Sequence, residues 1–466
     1  MLGREILPKG SDPTLDPDRR QPTDEPGMSD PTPETAPFPD HGWPAPALPR
    51  GRPFPAQLQL AAELLTRIDT EALPADRTLQ RELAARRRMG RRDRERVREL
   101  TLFVLRQRRL LDWLLDRPGA EMAKRVAAAL MLADALDPVL AEHAGLDRDD
   151  HARLTARRRT AFGDLPFDVR FNLAPDAASE WDRLAPADPD ALAGALESRA
   201  PIDLHVNPRR GPAGALREEL AESGIEATPI DGLPLGLRLE RPARLTRLPA
   251  FERGAFEIQD AGSQWVVRAV GAQPGERVLD LCAGAGGKTL GLLDESGGEL
   301  DVVACDREAD RLERLRVRAR RHGDTALQTR ALDATQPLDA AMGTFDRVLI
   351  DAPCSGSGTW RRHPELRWAE IDWAGLAQTQ RGLLDQGATA TRPGGRLVYV
   401  TCSLWPAENE AVVADFLAAH PDWRALAPDD AALPTDALTE DGCLRLRPDR
   451  HGCDAFFIAT LQAPAG

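Results

Sequence analysis

A glycine-rich turn between an apolar run and a helical pattern constrains the fold of this chain more than any other feature. The segment reads Arg277-Val-Leu-Asp-Leu-Cys-Ala-Gly-Ala-Gly-Gly-Lys-Thr289 and predicts a strand, a loop and a helix in succession. Gly284, Gly286 and Gly287 let the backbone approach a ligand closely, and the helix would point its first amide groups at that ligand. The segment therefore predicts a ligand site at the end of a strand in an α/β domain.

Two common nucleotide-binding loops do not fit this segment. The dinucleotide fingerprint needs a third glycine where the chain has Thr289, and the phosphate-binding loop needs its first glycine where the chain has Cys282. A second apolar run over residues 300–305 ends in Asp306, whose carboxylate could accept hydrogen bonds from both hydroxyls of a ribose. The order of strand, loop and acid favours an adenosine-bearing cofactor over a purely structural turn.

The composition limits the class of protein. The chain has 466 residues, no run of 18 apolar residues and no apolar core of a signal peptide, so a cytoplasmic multidomain protein without a membrane partner is expected. Its six cysteines show no C-x-x-C spacing, and neither a disulfide framework nor a metal site is expected. The net charge of −13 argues against global attraction to nucleic acid but leaves local basic patches open.

The spacing of apolar residues divides the chain into four parts. Residues 1–54 are rich in proline and aspartate and predict a disordered tail, whereas residues 55–150 show the helical spacing of a small all-α bundle. Residues 166–255 mix short apolar runs with a helical stretch, which predicts a small α/β linker domain. Residues 256–466 alternate strands and helices, which predicts a parallel sheet covered on both faces. Its strands are expected near 278–281, 302–306, 326–332, 347–351 and 396–401, followed by an antiparallel C-terminal hairpin from 443–447 and 455–461.

Arginine is concentrated between Arg77 and Arg109. This segment holds 13 arginines and four acids, in a chain whose overall charge is negative. Guanidinium groups pair well with phosphate oxygens, so contact with RNA is one interpretation. A solvated, charge-rich helix surface is the other, and the sequence leaves both open.

Two cysteines follow neighbouring strands of the predicted sheet. Cys354 lies in Asp351-Ala-Pro-Cys-Ser after the fourth strand, and Cys402 lies in Thr401-Cys-Ser after the fifth. A single cysteine at such a position is most often a small buried apolar residue, but two at one edge favour chemistry, because a thiolate is a strong nucleophile. A papain-like Cys/His hydrolase is poorly supported, because only His363 lies nearby in the sequence.

Several motifs, taken in order, resemble those of the Sun-type RNA (cytosine-5) methyltransferases. The resemblance covers residues 55–462 and is strongest from residue 256, and the helical N-terminal part is similar to a NusB-like RNA-binding domain. The chain departs from the family pattern at Gly284-Ala285, where the family has Ala-Pro, and at Ala455, where the family has glycine. The motifs are Gln259-Asp260, the loop 280–289, Asp351-Ala-Pro-Cys354, Arg362-His-Pro364, Thr401-Cys-Ser403 and Glu408-Asn-Glu410.

The resemblance implies a Rossmann-like S-adenosylmethionine-dependent methyltransferase domain that acts on carbon 5 of a cytosine in RNA, with ribosomal RNA as the expected partner. Carbon 5 becomes reactive only after a nucleophile adds to carbon 6. The resemblance assigns that attack to Cys402, help in product release to Cys354, and the contact with N3 of the base to Asp351. The base must leave its stack, which favours unpaired RNA. The implied cofactor site consists of Cys282, Ala283, Gly284, Ala285, Gly286, Gly287, Lys288, Asp306, Arg311, Asp333 and Asp351.

Other functions remain open at this point. Transfer RNA is an alternative substrate, and a DNA methyltransferase that attacks through Cys354 is disfavoured by the Thr-Cys-Ser sequence around Cys402. A nucleotide switch could bind phosphates at 287–289 and magnesium at 348–351, although Cys282 weighs against it. A catalytically silent RNA-binding scaffold is disfavoured by the cysteine pair. A monomer is expected.

Overall fold

Ten α-helices precede the first strand in the computed structural model, which describes residues 43–428 and 430–466. The apolar side of the first helix carries Leu58, Leu64 and Leu65, which are buried against neighbouring helices at helical spacing. The helices are α1 Pro55–Thr70, α2 Ala75–Ala85, α3 Arg91–Arg106, α4 Arg108–Leu115, α5 Met122–Leu132, α6 Pro138–His143, α7 Arg148–Arg157, α8 Phe167–Arg170, α9 Pro175–Leu184 and α10 Pro189–Glu197.

Residues 43–54 pack on the first helices, although the sequence predicted them as the end of a disordered tail. Trp43 donates from Nε1 to the carbonyl of Thr160 at 3.1 Å, and its ring packs against the apolar core of the helices. The buried guanidinium of Arg96 donates to three successive carbonyls of this segment. The apolar ring of Trp43 and the buried guanidinium of Arg96 thus hold residues 43–54, which could not form a core alone. The remainder of the predicted tail, 1–42, lies outside the described residues.

The helix α9 contacts the C-terminal half of the chain through tryptophan side chains. The ring of Trp181 on α9 lies 6.4 Å from that of Trp405, and the ring of Trp360 lies 5.7 Å from that of Trp405. All three indoles are buried in one apolar cluster. Because Trp360 and Trp405 follow the two cysteines in the sequence, this packing supports the segments that carry them.

A small antiparallel sheet follows the helices. Its strands are β1 Ile202–Val206, β2 Ala227–Ile230, β3 Leu233–Leu239 and β4 Phe256–Ile258, in the order β2-β3-β1-β4. Leu216 on α11, Ala213–Glu222, packs with Leu204 and Leu237 of this sheet, and α12 spans Pro249–Glu252. The strand β4 ends directly before Gln259, so the sheet positions this residue at the start of α13, Ala261–Val270.

The C-terminal half forms one mixed sheet of eight strands, in the order β10-β12-β9-β8-β5-β6-β7 with β11 beside β12. The pairs within β9-β8-β5-β6-β7 are parallel, and β12 joins β9 antiparallel. In chain order the elements are β5 Arg277–Asp280, α14 Gly287–Glu295, β6 Asp301–Asp306, α15 Ala309–His322, β7 Gln328–Ala331, β8 Phe345–Asp351, α16 Trp373–Ala390, β9 Thr391–Thr401, α17 Glu410–Ala419, β10 Arg424–Leu426, β11 Leu444–Leu446, α18 Pro448–His451 and β12 Phe456–Gln462.

Both faces of this sheet are covered. Val278 and Leu279 are adjacent on β5 and fully buried, yet they belong to two different apolar clusters, one on each side of the sheet. Alternate side chains of a strand point to opposite faces, so a central strand covered twice must be apolar in succession. Burial on both faces of the sheet therefore explains the apolar runs in the sequence.

The Rossmann-like fold and the antiparallel C-terminal pair are confirmed. Each predicted parallel strand overlaps an observed one, and β11 pairs with β12 as expected, with α18 between them. The predicted domain boundaries stay predictions, because α1 to β12 lie in one compact unit. Within the described ranges, no helix is long and apolar enough to cross a membrane.

Candidate active site

The carboxyl ends of β5, β6, β8 and β9 open into a cavity of about 670 Å³. Eleven of the thirteen predicted site residues line it, while Gly286 and Cys354 lie just outside its wall. Loops that leave parallel strands at the same edge of a sheet converge there, which is why residues far apart in sequence meet. The eleven are Cys282, Ala283, Gly284, Ala285, Gly287, Lys288, Asp306, Arg311, Asp333, Asp351 and Cys402.

The glycine-rich loop depends on backbone conformations that favour glycine. Gly284 and Gly286 have φ angles of 57° and 84°, in the left-handed region. A Cβ atom added at Gly286 would lie 2.0 Å from Cδ1 of Leu315 on α15, so this glycine serves packing and not direct ligand contact. The Ala285 carbonyl accepts a hydrogen bond from Arg318 at 2.6 Å. The loop is therefore held in shape by α15.

Two buried polar side chains in the cavity wall have atoms without a hydrogen-bond partner among the described residues. These are Oδ1 of Asp280 and both amide atoms of Gln259. Burial raises the pKa of Asp280 to about 7, although Thr289 donates to its other oxygen at 2.6 Å. Buried polar atoms are nearly always satisfied in folded proteins. The unpaired atoms of Asp280 and Gln259 lie next to the glycine-rich loop and therefore suit a polar ligand. The sequence had given neither residue a role.

Asp306 is the acid predicted to bind a ribose, and the structure gives it a second task. Its Oδ2 accepts from the Gly284 amide at 2.9 Å, and its Oδ1 accepts from the Glu308 amide at 2.8 Å. Each carboxylate oxygen has two lone pairs, so acceptor capacity remains for hydroxyl groups. The carboxylate thus links the glycine-rich loop to the end of β6.

Arg311 and Asp333 lie at the rim of the cavity. Arg311 pairs with Glu308 at 3.0 Å, and its guanidinium lies 3.9 Å from Oδ2 of Asp306. Asp333 is exposed, and hydrogen bonds from the hydroxyl and amide of Thr335 lower its pKa. Both residues are placed to contact the outer part of a ligand bound at the loop.

Lys288, which the resemblance assigns to the cofactor site, pairs with Asp351 in the cavity wall. Its Nζ donates to Oδ2 of Asp351 at 2.6 Å and lies 5.1 Å from the centre of the Phe456 ring. Burial lowers the pKa of Lys288, but the charge of Asp351 and the hydrogen bond to it raise it overall. The pair places a fixed ammonium and a carboxylate beside Cys402, which lines the same cavity.

The two predicted catalytic cysteines meet. Sγ of Cys354 lies 3.4 Å from Sγ of Cys402, and both residues are partly exposed. The hydrogen bond to Cys402, together with burial, raises the pKa of the Cys354 thiol well above its ordinary value. Cys402 lines the cavity, whereas Cys354 lies just outside its wall. Because its pKa is raised, Cys354 is a thiol at neutral pH.

A buried ion-pair cluster closes the cavity on the side of the small sheet. Arg362 donates to Asp260 and to Asp454, at 2.6 Å in each case, and Arg361 donates to Asp454 at 3.2 Å. Burial, and then the charge of Asp260, raise the pKa of Asp454 to about 6. Asp260 and Arg362 belong to the motifs of the resemblance, which gave them no role, and the structure places both in the cavity wall together with Asp454.

The arginine-rich segment divides into two groups. Arg96 is buried, and Arg98, Arg108 and Arg109 pair with aspartates, so these four serve the fold. A second group is exposed and has no ion-pair partner in the described part of the chain; Arg77 lies at the start of α2, and Arg87, Arg88, Arg91 and Arg92 lie around the turn between α2 and α3. These five arginines are therefore available to bind an anionic partner.

Known proteins are similar to this chain over most of its length. The family model described as 16S rRNA methyltransferase RsmB/F matches residues 267–462, and the model of a ferredoxin-like domain of RsmF/B-like methyltransferases matches residues 178–246. The chain is 38% identical over 283 residues to the probable ribosomal RNA small subunit methyltransferase B of a Synechocystis species, a match covering 59% of this chain but only 63% of that relative. It is 31% identical over 406 residues to the ribosomal RNA small subunit methyltransferase B of Erwinia tasmaniensis, covering 81% and 92%.

A solved structure shares the fold. The crystal structure of PH0851 superposes with a TM-score of 0.74 at 23% identity, covering 89% of this chain and all of that one. This similarity supports the arrangement of helices and sheets described above.

Proposed function

Because the chain belongs to the 16S rRNA methyltransferase RsmB/F family, we propose that it transfers a methyl group from S-adenosylmethionine to carbon 5 of a cytosine in ribosomal RNA. The reaction would pass through a covalent bond between Cys402 and carbon 6. The observation that carries this proposal is the thiol pair: Cys354 and Cys402 lie 3.4 Å apart at the wall of a cavity that also contains the glycine-rich loop.

The residues in the cavity fit the cofactor. S-adenosylmethionine, when bound, supplies the methyl group in electrophilic form. Asp306 has lone pairs left for ribose hydroxyls, and the amides at the start of α14 are available to a polar group. Asp280 and Gln259 carry the unsatisfied buried atoms that an amino or carboxylate group would need. Arg311 and Asp333 complete the rim.

The cysteines and Asp351 supply the chemistry on the base. The Cys402 thiolate adds to carbon 6, which makes carbon 5 nucleophilic toward the methyl group. A base then takes the proton of carbon 5, the electron pair left behind restores the double bond between carbons 5 and 6, and Cys402 leaves as a thiolate. Asp351 holds the base at N3, and Lys288 fixes its carboxylate through the 2.6 Å hydrogen bond. Cys354 assists the release step.

The exposed arginines are proposed to bind RNA. Arg87, Arg88, Arg91 and Arg92 project from one turn of a helical region in an otherwise acidic chain, and each could pair with a phosphate. Arg77 lines a separate cavity of about 330 Å³ together with His363, which also lines the candidate active site. RNA held by the helices could therefore extend along this surface toward Cys402.

The test is bisulfite sequencing of 16S ribosomal RNA and of transfer RNA from a strain that lacks the gene. We expect one ribosomal cytosine to lose its methylation, and the wild-type gene but not the Cys402→Ala variant to restore it. Loss at a transfer RNA position alone would replace the substrate by transfer RNA. No change at any cytosine would favour the non-catalytic scaffold.

A further inference from the structure

Glu408 is a buried carboxylate that joins the two cysteine segments. It is 1% exposed and lies between Trp405 and the start of α17. Its Oε1 accepts from the Ser355 amide at 2.8 Å, and its Oε2 accepts from the Ser355 and Ser403 hydroxyls at 2.6 and 2.5 Å. These two serines directly follow Cys354 and Cys402 in the sequence. One carboxylate therefore connects the residues after both thiols.

Neighbouring side chains extend this connection. Gln380 of α16 donates from Nε2 to Oε1 of Glu408 at 3.2 Å and to the Pro353 carbonyl at 3.0 Å. Asn409 accepts from the Thr401 hydroxyl at 2.5 Å and donates to the Ser403 carbonyl at 3.0 Å. The residues before and after each cysteine are thus held by buried hydrogen bonds. Connected hydrogen bonds of this kind fix geometry more firmly than isolated contacts do.

The charges around the two thiols differ. No lysine, arginine or histidine of the described residues forms an ion pair with Glu408, so its negative charge is balanced by hydrogen-bond donors alone. After Cys402 and burial, that charge is a further cause of the raised pKa of Cys354. Lys288, bonded to Asp351, interacts instead with Cys402, which helps to raise the pKa of Lys288. A carboxylate without an ion-pair partner among the described residues therefore lies near Cys354, whereas Cys402 lines the same cavity as the Lys288–Asp351 ion pair.

We propose that Glu408 is a positioning residue that holds the two cysteine segments in contact and, through its charge, leaves the nucleophilic role to Cys402. Its carboxylate keeps Cys354 protonated in the free enzyme, so that only one of two adjacent thiols competes for carbon 6. This inference rests on the proposed function for the roles of the cysteines. It assigns a task to a residue that does not line the cavity of the candidate active site.

The test measures the reactivity of each thiol in the full chain without RNA. Iodoacetamide alkylation over a pH series, followed by peptide mass spectrometry, gives the rate at Cys354 and at Cys402 separately. We expect Cys354 in the wild type to react only at a pH above that at which an ordinary cysteine reacts, because its pKa is raised. In Glu408→Gln, which keeps the shape and removes the charge, alkylation of Cys354 at pH 8 should rise about tenfold, which corresponds to a fall of about one pKa unit. An unchanged rate in the folded variant would overturn the charge effect.

Two further variants separate the effect of the Glu408 charge from the effect of its side-chain length. Glu410→Gln removes a charge two residues away, where the carboxylate pairs with Arg445, and should leave Cys354 alkylation unchanged; an equal rise there would show a nonspecific effect and refute the inference. Glu408→Asp keeps the charge but shortens the side chain, so Cys354 should stay unreactive while kcat for methylation falls about tenfold at constant KM. A wild-type kcat in Glu408→Asp would overturn the positioning role.

The two proposals fail in different ways. Thermal unfolding and S-adenosylmethionine binding verify that each variant is folded. If no RNA cytosine is methylated by the wild type, the proposed function fails while the alkylation rates still report on Glu408. If methylation occurs but Glu408→Gln and wild type show equal Cys354 alkylation, only the present inference fails.

Discussion

Asp306→Asn tests whether the acid at the end of β6 organises the cofactor site. The carboxylate accepts the Gly284 amide on one oxygen and the Glu308 amide on the other, and Asp306 is buried. Asparagine has a single acceptor oxygen, so one backbone amide would face an NH₂ group and lose its partner. A buried donor left unsatisfied costs about 1 to 3 kcal/mol. The side chain also loses an acceptor for one ribose hydroxyl.

We expect this cost to appear in cofactor affinity, because the ligand needs the ordered loop and the same carboxylate. The dissociation constant for S-adenosylmethionine should rise about 5- to 150-fold, measured by isothermal titration calorimetry. Glu308→Gln is the matched control: this carboxylate is 43% exposed, and its ion pair within the described residues is with Arg311, so the affinity of this variant for the cofactor should change little. If folded Asp306→Asn binds the cofactor as tightly as the wild type, Asp306 holds neither loop nor ligand and the site is wrongly placed.

Three other predictions concern the cysteine pair, a buried histidine and an exposed arginine. Cys354→Ala should accumulate protein covalently attached to RNA on denaturing gels, whereas Cys402→Ala should form no adduct; the reverse pattern would make Cys354 the nucleophile. Burial lowers the pKa of His322, but hydrogen bonds to two aspartates raise it overall from 6.5 to about 9. The stabilisation that charged His322 contributes is therefore complete below about pH 6.5 and is lost as the pH rises through about 9. In urea denaturation, the difference in free energy of unfolding between the wild type and His322→Asn should fall by about 3 kcal/mol between pH 6 and pH 10. A difference that is independent of pH would refute the charged histidine. Arg88→Ala should weaken RNA binding and reduce the slope of log affinity against log salt by about 0.7, while Arg217→Ala, at another exposed arginine, should not.

Local patterns in the sequence were sufficient for much of the fold. Alternation of apolar runs with helical spacing located the strands β5, β6, β8 and β9, because a strand covered on both faces must be apolar in succession. Glycines followed by a helix predicted the loop, and acids or cysteines directly after strands predicted the candidate site. Parallel neighbours end at the same edge of a sheet, so even the meeting of Cys354 and Cys402 could be anticipated.

The roles of other residues depended on contacts that no spacing encodes. Residues 43–54 were predicted as part of a tail because they are rich in proline, yet Trp43 and the buried Arg96 hold them against the helices. In the arginine-rich segment, the residues that pair with aspartates differ from the exposed ones only in where each helix places them. Composition could not separate the two groups.

The sequence by itself determined which side chains reach the edge of the sheet, because local periodicity decides strands, turns and helices. Only the tertiary structure decided how those side chains are paired. It paired Lys288 with Asp351, placed the unsatisfied atoms of Asp280 and Gln259 in the cavity, and brought Glu408 to the serines after both cysteines. These contacts join residues between 5 and 63 positions apart, and their energies depend on burial and hydrogen-bond geometry, which exist only after the chain has packed.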